Sequence, residues 1–124
     1  AFPVAEYYHA DPILIGRAAI TDVVPYRSDA IPQLTGRLLF GDYPSGEIFH
    51  VSADDLPDGG EEEIRRVLLR DDGAERTFLE LIRETNGEQG REAASRTDLR
   101  FATGPGGRLF LLNKHDGVIR ELTR

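Results

Sequence analysis

The sequence predicts an all-β chain of antiparallel meanders with one short helix. Apolar-rich runs at residues 20–26, 36–40, 47–51, 64–70, 99–103, 108–112 and 118–122 each have the length of a strand. Between them stand residues that turn a chain for stated reasons: glycine takes positive φ cheaply, and Asp bonds its own backbone. A third observation sets one segment apart, because its apolar residues recur at helical rather than strand spacing.

The turns come first. Asp42-Tyr43-Pro44-Ser45-Gly46, Gly104-Pro105-Gly106-Gly107 and His115-Asp116-Gly117 each join two strand-like runs closely enough for a hairpin, and Asp71-Asp72-Gly73 is a turn of the same chemistry after the run at 64–70. Successive hairpins make the sheet antiparallel throughout. The exceptional segment is residues 77–84, where Phe78, Leu81 and Ile82 fall on one helical face and Thr77 is placed to cap it. A polar, glycine-containing loop is expected over residues 86–95. A second, acidic loop is expected over residues 52–63. Strand texture resumes after each, so residues 1–124 read as one unit.

Composition bounds the function. The net charge of −7 speaks against nucleic acid or an anionic membrane as partner, since both require a basic footprint. No apolar run is long enough to span a bilayer as a helix. Without cysteine there is no disulfide, thiolate ligand or thiol nucleophile, and Lys114 is the only lysine. The absence of methionine, even at position 1, leads us to expect a processed product or a segment of a longer chain.

Gly46-Glu47-Ile48-Phe49 and Gly107-Arg108-Leu109-Phe110 share a pattern, as do Leu38-Leu39-Phe40-Gly41 and Leu99-Arg100-Phe101-Ala102. The common spacing suggests a degenerate repeat of the kind that propeller blades show.

The stretch Ile20-Thr21-Asp22-Val23-Val24-Pro25-Tyr26-Arg27-Ser28 leads into Ala30-Ile31-Pro32-Gln33-Leu34-Thr35-Gly36. Phe40-Gly41-Asp42-Tyr43-Pro44-Ser45-Gly46-Glu47-Ile48-Phe49 follows. With Pro3-Val4-Ala5-Glu6-Tyr7-Tyr8-His9 upstream and the run from Gly106 through Asn113-Lys114-His115-Asp116-Gly117 downstream, this order resembles glucose/sorbosone dehydrogenase-type quinoproteins. The resemblance covers most of the chain and is weakest over residues 54–95. It implies roughly the last two blades of a six-bladed β-propeller. It also implies pyrroloquinoline quinone (PQQ) as cofactor, a sugar or aldehyde substrate, and a periplasmic or secreted parent. The partners would be the remaining blades or a second copy, and the chain by itself would be inactive. The family's catalytic histidine comes from an earlier blade.

The same resemblance assigns cofactor-binding roles to Arg27, after the Tyr of the V-Y-(K/R)-G segment, and to Arg96 and Arg100 entering the last blade. Guanidinium groups suit the three carboxylates of the quinone because they bind carboxylate bidentately. Four residues apart on a strand, Arg96 and Arg100 would share a face. The sequence departs from the family at Asp22-Val23, where paired glycines are usual, at Pro25 and at Ser28. Asp22 would repel cofactor carboxylates if it faced them, and Pro25 fits only an edge strand or a bulge. The alternative is a non-catalytic propeller relative acting as a ligand-binding or interaction domain. His9, His50 and His115 lack partners at metal-ligand spacing and read as structural, and the acidic loop lacks an ordered calcium-binding pattern.

Overall fold

The structure, a computed structural model, describes residues 5–7, 14, 18–53 and 63–124. Most of the expected lead-in, with Pro3, Tyr8 and His9, and the acidic loop at 54–62 lie outside the described residues. Strands β1 (Ile20–Tyr26), β2 (Arg37–Asp42), β3 (Ile48–Ser52) and β4 (Arg65–Val67) form one antiparallel meander in the order 1-2-3-4. A hairpin of β5 (Arg70–Asp71) and β6 (Ala74–Glu75) leads to helix α1 (Phe78–Glu88). Strands β7 (Arg100–Thr103), β8 (Leu109–Leu112) and β9 (Arg120–Glu121) form a three-stranded antiparallel sheet. Among the described residues the structure is mostly antiparallel sheet with one α-helix. No described helix is long and apolar enough to cross a membrane.

Strand alternation sorts the side chains of the four-stranded sheet into two cores. Leu39 and Ile48 point toward α1 and the second sheet, where they join Phe78, Ile82, Leu99, Leu109 and Leu111. Phe40, Phe49 and Val51 point the other way. Phe40 stands directly opposite Phe49, with ring centroids 5.7 Å apart, and Tyr7 covers both. Each such fully buried side chain contributes about 1.5–3 kcal/mol.

The strand expected at 64–70 is two strands separated by Leu68 and Leu69, with Leu68 exposed. Its second half is drawn into a tight hairpin because Asp72 (φ 49°) and Gly73 (φ 81°) take successive left-handed conformations. The helix begins where expected. The Thr77 side chain accepts from Glu80 N, and the Glu80 side chain accepts from Thr77 N, a complete capping box. It runs a turn beyond 84 into the expected loop, because Asn86 is buried and tied down. The Asn86 side-chain nitrogen donates to the Glu92 carbonyl, and the Asn86 carbonyl accepts from Arg91 N at 2.7 Å.

The degenerate repeat does not carry into equivalent pairing. Phe40 opposes Phe49, whereas Phe101 opposes Leu111 and Phe110 opposes Ala102, one residue out of step. Moreover β2 is the second strand of its sheet and β7 the first.

Candidate anion site where β1 meets β7

Strand β1 lies at the edge of its sheet, the position where Pro25, opposite Leu38, is tolerated. Its pairing with β2 shifts register between Ile20 and Val23, a bulge that re-aims Thr21 and Asp22. Both residues reach β7. The Asp22 carboxylate accepts from Phe101 N at 2.8 Å, and the Thr21 hydroxyl accepts from the Arg100 guanidinium. Asp22 therefore brackets the two sheets together. At the opposite end of β1 the chain after β7 comes against Arg27 and Ser28. There Gly107 (φ 74°) would place a Cβ only 2.9 Å from Ser28 N. The two strands thus run side by side in the same direction.

The β2–β3 turn supplies the floor of the site. Asp42, fully buried, accepts from Ala19 N, Ser45 N and the Ser45 hydroxyl, which fixes the turn. The Tyr43 carbonyl accepts from Leu99 N and from the Thr97 hydroxyl, so the tyrosine is locked to the entry of β7. Over its ring lie two guanidinium groups, Arg100 at 4.8 Å and Arg96 at 6.0 Å from the centroid. Arg96 precedes β7 rather than lying on it, so the shared strand face expected for the pair does not bring them together; Tyr43 does.

Arg27 is placed elsewhere. It is exposed just past the far end of β1, roughly 20 Å from Thr21 at about 3.3 Å per residue. Among the described residues it has no ion-pair partner. The structure brings together two of the three expected cofactor-binding arginines and sets the third apart.

Next to Arg96 is a buried carboxylate that the sequence did not mark. Asp98, with its side chain 1% exposed, adopts φ 51°. It takes Arg96 Nε at 2.9 Å, Lys114 Nζ at 3.3 Å and His115 Nε2 at 2.8 Å. Burial alone would raise the Asp98 carboxyl. The bonds from Lys114 and His115 and the charges of Arg96 and Lys114 overrule it and hold the group below its ordinary value. The turn bearing these two residues is itself fixed by Asn113, whose side-chain oxygen accepts from His115 N and Asp116 N. His115 is therefore part of this network, although only a turn role was legible for it. The signal was present as Arg-x-Asp and Asn-Lys-His-Asp-Gly, but nothing in the spacing joins residues 98 and 115.

His50 keeps a structural role. Arg37 Nε donates to its Nδ1 at 3.0 Å, which leaves the ring proton on Nε2. Burial first, then the charges of Arg37 and Arg65, lower its pKa. Beside the Arg96 end of the site a cleft of about 830 Å³ opens between the β2–β3 turn, the β4–β5 link and the start of α1. Phe78 and Leu79 are among the apolar residues that line it. Among the described residues no group of three or more His, Asp or Glu side chains could hold a metal ion. No family model, curated protein or solved structure matches the chain.

Proposed function

We propose that the chain is the closing segment of a quinoprotein-type β-propeller that oxidises a sugar or aldehyde outside the cytoplasm. In this reading Arg96 and Arg100 bind carboxylates of a pyrroloquinoline quinone. The observation that carries it is the pair of guanidinium groups held over Tyr43 where β1 and β7 begin. Propeller architecture is supported by the four-stranded meander, the unit from which blades are built. It is supported also by the parallel course of β1 and β7, each the first strand of its sheet.

The donor set fits a polycarboxylate. Arg96 commits its Nε to Asp98 and Arg100 one terminal nitrogen to Thr21, so further N–H donors remain on two exposed groups. Bound there, the quinone would accept a hydride from the substrate, and this chain would bind and orient it. The Asp22 carboxylate accepts from Phe101 N, so it is directed at the β7 backbone. The chain alone lacks the expected histidine base and is inactive in this reading.

The placement of Arg27 favours a second reading, a non-catalytic relative that binds an anionic ligand through Arg96 and Arg100 only. Quinone titration separates the two, followed by sugar-dependent dye reduction with the full-length parent. Arg100→Ala should weaken quinone binding about 10- to 100-fold, the range of a lost charge-assisted bond. Arg27→Ala should do the same only if the quinone site extends along β1. Binding of carboxylates without any dye reduction by the parent would select the second reading. Unchanged quinone affinity in Arg100→Ala would remove the site.

A further inference from the structure

We infer that Lys114 is a third cation of the same site, and that with Arg96 and Arg100 it selects ligands carrying several carboxylates over those carrying one. This rests on the anion-binding part of the function proposed above, but not on the quinone.

Asp98 is the organiser. Its carboxylate is buried in a left-handed backbone conformation that Asp and Asn tolerate better than most residues. It draws Arg96 from the strand entry and Lys114 from the β8–β9 turn to one point. Neither cation is buried by this. The Arg96 side chain is 55% exposed and that of Lys114 66%. An ammonium has three donors and a guanidinium five, so one contact each with Asp98 leaves outward N–H groups on both.

The cations of the site are its outermost charges. Arg96, Arg100 and Lys114 are exposed, whereas Asp98 and Asp42 are buried. The carboxylates of Asp22 and Asp42 are turned into the backbone, the first toward Phe101 N and the second toward Ala19 N and Ser45 N. Among the described residues Arg100 has no carboxylate partner. Exposed cationic groups above buried carboxylates are what a multiply charged anion would meet on this face of a chain of net charge −7. Three cations on separate elements reward a ligand whose carboxylates are also separated. A monocarboxylate can engage only one of them well.

The test is calorimetric titration of this chain with citrate, with acetate and with pyrroloquinoline quinone, at low and at physiological salt. Citrate should bind, weakening as salt is raised, and acetate should bind at least 10-fold more weakly. Lys114→Met should reduce citrate affinity about 10-fold and leave acetate affinity within about 3-fold, and Lys114→Arg should restore most of the loss. Because the Lys114 head is exposed, the Met variant should keep the wild-type circular dichroism spectrum and melting temperature. Equal citrate affinity in wild type and Lys114→Met overturns the inference, as does absence of citrate binding in the wild type. Citrate binding that depends on Lys114, without quinone binding, sustains the inference and rejects the quinone as ligand.

Discussion

Asp98 joins conformation to charge at one position. Its φ of 51° is one that Asn shares readily and Ala does not, and its carboxylate lies within ion-pair distance of Arg96, Lys114 and His115. Two substitutions separate these contributions. Asp98→Asn keeps the backbone preference and loses the charge, and should cost about 1–2 kcal/mol; Asp98→Ala loses both and should cost about 2–3 kcal/mol. Urea unfolding at neutral pH measures the two, and equal costs would show that the backbone term is absent. His50 predicts a pH dependence. Unfolded, its ring takes a proton near 6.5; folded, burial and the flanking arginines resist protonation. Protons therefore favour the unfolded chain below about pH 6.5, and stability falls as the pH drops through and below that value. His50→Gln should flatten this part of the stability profile, and a profile as steep as that of the wild type would assign the slope to other groups.

At the scale of the element, α1 shows what a short sequence window can and cannot convey. The spacing of Phe78, Leu81 and Ile82 and the Thr77 cap were legible because they are local. The last turn was not, because Asn86 and Gly87 are poor helix formers and only the contacts of Asn86 with Glu92 and Arg91 hold them there. The turns were legible for the same local reason, as Asp72-Gly73 illustrates. The site was half legible: Arg96 and Arg100 were singled out, but Tyr43, which gathers them, and Asp98, which binds Lys114 and His115, act across the fold. The capping box gives a quantitative check. Thr77→Ala should lower stability by about 1 kcal/mol and increase amide exchange in the first turn of α1. Unchanged exchange there would mean that burial of Phe78 alone fixes the helix start.

The molecule as a whole carries open edges. Among the described residues β4 and β9 each have a neighbour on one side only. Ile119, immediately before β9, is 66% exposed. Unpaired edges invite further strands, and the chain's negative charge opposes close approach of copies. Self-association should therefore rise with both protein concentration and salt, which light scattering can follow. A monomer at every concentration and ionic strength would show that these edges are protected.

Gly41 sits in β2 where the two sheets approach. A single added carbon there would lie 2.7 Å from Leu99, 3.1 Å from Phe101 and 3.4 Å from Thr21. Those three neighbours also frame the anion site: Leu99 bonds the Tyr43 carbonyl, Thr21 holds Arg100, and Phe101 bonds Asp22. The empty position acts as a spacer gauge of zero thickness. A methyl group inserted at Gly41 would act as a shim, wedging the sheets apart and detuning a pair of arginines that it never touches.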